Sequence, residues 1–162
     1  MRVVSNTSPI SNLAIIGRLD LLRRRYEIVF IPSAVADELA ALSHPRAAPL
    51  IQAARTEGWL RIEHPPAIQP ALMSLALDPG EVAAMALARH LTADVLLMDE
   101  RQGRQAARQL GLTVAGVLGE LIHAKHAGWI SSVRDEVLRL RLEARFFVDA
   151  AVEAYILAQA GE

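Results

Sequence analysis

The chain has 162 residues, of which 52% are hydrophobic and 22% charged, with a formal net charge of −1 and no cysteine. That balance describes one globular domain with a real core, and excludes a disordered chain, a disulfide scaffold and a thiolate metal site. It also excludes bulk cationic attraction to nucleic acid, so any such binding must use a local basic surface.

The first element is a short β-branched strand, Val3-Val4, met at once by Asn6-Thr7-Ser8-Pro9. The pattern predicts strand, turn and helix, with Ser8 as N-cap and Pro9 as the first helical residue. Ile10, Leu13, Ala14 and Ile16 give that helix an apolar face ending near Gly17, and Leu19, Leu21 and Leu22 continue into a second helix with Arg23–Arg25 at its cationic end. Ile28–Ile31 is a continuous apolar run, as in a strand buried on both faces. Pro32-Ser33 starts a helix to about Leu42, a further helix runs from about Ala47 to Glu57, and Trp59–Ile62 reads as a short strand after Gly58.

His64–Pro70, with three prolines, is expected to be a surface connection. Asp78-Pro79-Gly80-Glu81 opens a helix through Val82–Leu91 that is apolar or alanine on nearly every face, the signature of a buried helix. Val95–Met98 is another buried strand, followed by a basic helix from about Arg101 to Leu110, a short strand at Val114 and a helix from Leu118 to Ala127. Ser131–Ala160 reads as two more helices. Strands alternating with helices imply a parallel sheet with helices on both faces and right-handed crossovers. No apolar run with a small-residue cleavage site follows Arg2, and no uncharged stretch nears membrane-spanning length, so a soluble cytoplasmic protein is expected.

Four polar residues stand out. Asn6 follows the first strand and Asp99 follows Val95–Met98, which places both at the carboxyl edge of the sheet, where open α/β folds bind ligands. Asp99 with Gln102 also fits a helix capping box, and Glu81 with Asp78 fits another, so each has a purely structural reading beside the functional one. Glu38 lies along the edge of the Val35, Leu39, Leu42 stripe; a carboxylate there must be hydrogen-bonded, paired with a cation or bound to a metal. Oxygen ligands of this kind suit Mg²⁺ or Mn²⁺, and such ions activate water for phosphodiester hydrolysis.

Arg101, Arg104 and Arg108 share one helical face, suited either to RNA phosphates or to solvent. Arg23–Arg25 and Lys125-His126 read as surface charge. The five histidines lack zinc-ligand spacing, and aromatics at 4% are too few for a base-stacking platform. No Gly-rich phosphate loop follows the first strand, which argues against a nucleotide-binding domain.

Taken together, four blocks resemble the PIN-domain family, small ribonuclease-like domains common among bacterial toxins: Asn6 in Val-Val-Ser-Asn-Thr-Ser-Pro, Glu38 in Ile-Pro-Ser-Ala-Val-Ala-Asp-Glu-Leu, Glu81 in Pro-Gly-Glu-Val-Ala-Ala-Met-Ala-Leu-Ala, and Asp99 in Leu-Leu-Met-Asp-Glu-Arg. The match spans about residues 1–130 and is nearest a PIN-like subgroup of largely unassigned function. The resemblance implies a three-layer α/β/α fold with a central, mostly parallel sheet and a helical C-terminal tail, residues 131–162, packed on the same domain. It implies a metal-dependent endoribonuclease in which Asn6, Glu38, Glu81 and Asp99 hold Mg²⁺ or Mn²⁺. Glu38, Glu81 and Asp99 would be catalytic, with Ser8, Arg101 and Arg104 toward the RNA and Ser8 ordering either the first ligand or a substrate phosphate. It further implies the toxin of a toxin–antitoxin pair, a small antitoxin partner and a homodimer.

The family's usual first motif is Asp-x-Ser, and here Ser8 keeps the hydroxyl while Asn6 replaces the acid. An amide oxygen ligates a cation without charge, which leaves three formal carboxylates where the pattern has four. The alternative expectation is therefore a PIN-like module whose catalysis has lapsed and which binds RNA or protein.

Overall fold

The computed structural model describes residues 1–65 and 67–162. Within them the chain runs β1 (Val3–Ser5), α1 (Thr7–Ile15), α2 (Asp20–Tyr26), β2 (Val29–Ile31), α3 (Ser33–Ala40), α4 (Ala47–Thr56), β3 (Leu60–Ile62) and α5 (Pro70–Met73). It continues through α6 (Pro79–His90), β4 (Val95–Leu97), α7 (Arg101–Gln109), β5 (Val114–Ala115), α8 (Val117–His126), α9 (Val133–Ala144) and α10 (Ala150–Gln159).

The strands form one parallel sheet in the order β3-β2-β1-β4-β5. The strands are short, and alternate residues serve opposite faces. Val3, Val29, Ile31 and Leu97 pack with α1, α2, α3, α4, α8 and α9 in one core. Val4, Leu96 and Met98 pack with α6 and with Ala107 of α7 in the other. The three-layer α/β/α architecture follows. The chain winds outward from β1 through β2 to β3, then crosses to β4 on the other side, so the switch point lies between β1 and β4. Their register pairs Ser5 with Leu97, and the ladder continues as the Asn6 N–H donates to the Leu97 carbonyl at 2.9 Å. Asn6 and Asp99 thus flank the switch point.

Several local expectations change. Ser8 does not cap α1. Asn6 is extended and stands at the cap, so the helix begins at Thr7, and Pro9 falls in the first turn, where its missing N–H still costs no bond. Likewise Asp99 does not cap α7; Glu100 occupies that place without a side-chain cap bond, and no Asp99–Gln102 box forms. The Asp78–Glu81 capping box does form, with both reciprocal bonds. Arg25 is more than surface charge: it donates to the buried Glu120 carboxylate at 3.1 Å, which also accepts from Tyr26 Oη at 2.7 Å. The short helix α5 falls outside the expected elements. Of the His64–Pro70 connection, Pro66 lies outside the described residues. No helix among the described residues is long and apolar enough to cross a membrane.

Helices α9 and α10 pack against α8, and α9 also against α1. Their Val133, Val137, Leu140, Ile156 and Leu157 join the larger core.

Candidate active site

Three consecutive side chains at the start of α1 organise the sheet edge. The Asn6 amide donates from Nδ2 to Glu100 Oε2 at 3.3 Å, the Thr7 hydroxyl donates to the Glu38 carboxylate, and the Ser8 hydroxyl donates to the other oxygen of Glu100. Residues from β1–α1, α3 and the β4–α7 junction therefore meet at one place. Asn6 is 3% exposed, and its Oδ1 is buried with no hydrogen-bond partner.

Asp99 is the second corner. Its Oδ1 accepts the Val117 N–H at 2.8 Å, so the residue satisfies the first turn of α8 rather than its own helix. Its Oδ2 is buried and unpartnered. Burial pushes the Asp99 carboxyl up to about 6; the Val117 N–H opposes this, Glu100 adds to it, and Arg104 and Asn12 oppose it weakly. Leaving a buried acceptor unmet costs roughly 1–3 kcal/mol, and this edge carries two.

Glu81 is 5% exposed, and burial is the main cause that raises its pKa, with further repulsion from Asp78, Glu100 and Glu38. It remains a member of the capping box, yet its Oε1 also looks toward α7, where a side chain at the buried Gly103 would meet it at 3.1 Å. Glu38 is exposed and touches the first turn of α6, where Gly80 leaves room for its carboxylate. That placement sets a negative charge at a helix N-terminus, which is favourable. Of the three outcomes expected for this carboxylate, a hydrogen bond is the one present: the Thr7 hydroxyl donates to it, and solvent reaches the rest.

The arginine face divides. Arg101 and Arg108 line a shallow groove of about 500 Å³ with Gln105 and Gln109. Arg104 instead turns inward and donates from Nη1 to the Met98 carbonyl at 2.8 Å, beside Asp99 and Gly116. Burial lowers its pKa, as does Arg108, while Asp99 opposes this. A second groove of about 510 Å³ starts at Asp99 and Arg104 and runs past Gly116 and Ile122 to Phe146 and Tyr155.

Glu100 and Thr7 are the site residues that the sequence did not single out. Glu100 is hidden by its neighbour, since an acid at a strand–helix junction reads as a cap. The signal for Thr7 was its place between Asn6 and Ser8.

The donor set is one of hard oxygens, with two acceptors left unmet. Among the described residues, no group of three or more His, Cys, Asp or Glu side chains is gathered to hold an ion by itself. The chemistry fits a cation of the Mg²⁺ type, which binds through one or two carboxylates and keeps several waters.

A family model described as a PIN domain matches residues 2–162. No curated protein matches the sequence.

Proposed function

The chain belongs to the PIN-domain family, and from that premise we propose that it is a metal-dependent endoribonuclease. PIN domains are commonly nucleases that use divalent metals, which supports the coarse reading. The observation that carries the finer one is the pair of buried, unpartnered oxygens, Asn6 Oδ1 and Asp99 Oδ2, at the switch point of the sheet.

Asn6 and Asp99 would hold Mg²⁺ or Mn²⁺ directly, and Glu38 and Glu81, expected as ligands as well, would reach the ion through its waters, since among the described residues no three carboxylates are gathered on one point. The chemistry such an ion supplies when bound is activation of water and neutralisation of charge on the scissile phosphate. Asp99, fixed by the Val117 N–H, keeps one oxygen free and oriented. Glu38 and Glu81, with carboxylates at the first turn of α6, would accept protons or order water near the phosphodiester. Of the two roles expected of Ser8, its bond to Glu100 supports the ordering one. Arg101 would bind RNA phosphates from the shallow groove, and Arg104 would reach them only from the Asp99 side.

The toxin role goes with this reading. A small antitoxin would lie in the groove from Asp99 to Tyr155 and cover the site. A second copy would cover Leu138 and Leu142 of α9, together with Phe147, all of them exposed and apolar.

One experiment tests the activity. Single-stranded RNA should be cleaved in Mg²⁺ or Mn²⁺, with cleavage abolished by EDTA and by Glu38→Ala or Asp99→Ala. Cleavage that persists in any of these would sink the mechanism. The second reading, a lapsed nuclease that binds RNA or protein, is favoured by Asn6 alone. If neither the wild type nor Asn6→Asp binds Mn²⁺, that reading wins; if only Asn6→Asp cleaves, the natural protein is a degenerate nuclease.

A further inference from the structure

An amide is planar, with a donor at one end and an acceptor at the other. At Asn6 the donor end is committed to Glu100, so Oδ1 is the end left over, buried and unmet within the acidic edge. The reverse orientation would face Oδ1 against a carboxylate oxygen, two acceptors with no proton between them. Glu100 is itself held in place, because its other oxygen accepts a hydrogen bond from the Ser8 hydroxyl. The pair Asn6 and Glu100 thus presents one amide oxygen and one negative charge where an aspartate would present both on one side chain.

We propose that Glu100 is a positioning residue that turns the Asn6 amide so that Oδ1 is offered to a divalent cation, and that it supplies the negative charge missing from position 6. The inference rests on the metal-dependent reading above and adds a residue to it. It explains how an asparagine can stand in the family's first acidic position without emptying that corner of charge. Groups that orient a metal ligand through a hydrogen bond are worth roughly 10–100-fold in metal affinity.

The test is Mn²⁺ affinity by calorimetry on the full chain without RNA, with thermal melting as the control for folding. Glu100 is exposed, so Glu100→Gln should melt with the wild type. That variant keeps one acceptor oxygen for the Asn6 amide, turns its other end into a donor toward the Ser8 oxygen, and removes the charge; it should bind Mn²⁺ roughly 10–100-fold more weakly. The double variant Asn6→Asp/Glu100→Gln moves the charge to position 6, with the new amide at position 100 as its donor, and affinity should return toward the wild-type value. Asn6→Asp alone is the control: the gain from Asn6→Asp should be larger in the Glu100→Gln background than in the wild type, and equal gains in the two backgrounds would mark Glu100 as merely structural and overturn the inference. Wild-type affinity in Glu100→Gln, beside lost affinity in Asp99→Ala, would overturn the inference and leave the nuclease reading intact. Weak binding in both Glu100→Gln and the double variant would overturn it as well. No Mn²⁺ binding by the wild type would overturn the nuclease reading, and the inference with it.

Discussion

Asp99 Oδ1 accepts the backbone N–H of Val117 at 2.8 Å, across 18 residues of sequence. The bond ties the end of β4 to the first turn of α8, and it leaves Oδ2 as a fixed, unpartnered oxygen at the switch point of the sheet. The acid therefore serves one helix while standing at the start of another.

A pH dependence of stability follows. Asp99 ordinarily titrates near 3.8, and burial raises it in the folded chain to about 6. Between those values the unfolded chain has released a proton that the folded chain still holds, so stability falls as pH rises through the window. The loss is on the order of 2–3 kcal/mol by neutral pH. Asp99→Asn keeps an acceptor for Val117 and removes the titration. Urea melts in EDTA should show the wild type weakening relative to Asp99→Asn as pH rises; parallel curves would contradict this.

Glu81 separates capping from chemistry. Glutamine at the third helical position keeps the capping box, because its carbonyl still accepts the Asp78 N–H. Glu81→Gln should therefore melt within about 0.5 kcal/mol of the wild type while losing RNA cleavage. Asp78→Ala, which removes the cap bond to the Glu81 N–H, should cost about 1 kcal/mol. Full cleavage by Glu81→Gln would make the residue a cap and nothing more.

Gly116 is extended, so alanine there brings no backbone strain. The added methyl would instead lie 2.7 Å from both Asp99 Oδ1 and Arg104 Nη1. Gly116→Ala should lose about 1–3 kcal/mol through overpacking, and cleavage should fall as Asp99 is displaced. Unchanged activity and melting would show that the contact relaxes freely.

Arg101 and Arg108 face their groove beside two glutamines. If they neutralise RNA phosphates, Arg101→Ala and Arg108→Ala should each reduce the slope of log affinity against log salt by about 0.7. Fluorescence anisotropy with single-stranded RNA in EDTA reads that slope. Wild-type slopes in both variants would make this a solvated face.

Much of the fold was legible because its signals are local. Ile28–Ile31 and Val95–Met98 are uninterrupted apolar runs, β-branched or leucine-rich, and strands β2 and β4 lie within them. The Asp78–Glu81 box was readable from spacing alone. What stayed hidden depends on long-range partners. Ser8 could not be known to reach Glu100, 92 residues away, nor Arg104 to turn from its helical face toward the Met98 carbonyl. Asn6 was visible as a departure from the family pattern, but the acid that pairs with it was masked by Asp99 next door.

By the proposal above, the edge between β1 and β4 holds a divalent cation on Asn6 and Asp99. The most direct measurement is anomalous diffraction from crystals grown with Mn²⁺. A peak is expected about 2 Å from both Asn6 Oδ1 and Asp99 Oδ2. A peak elsewhere, or no peak at this edge with Mn²⁺ in excess, would contradict it.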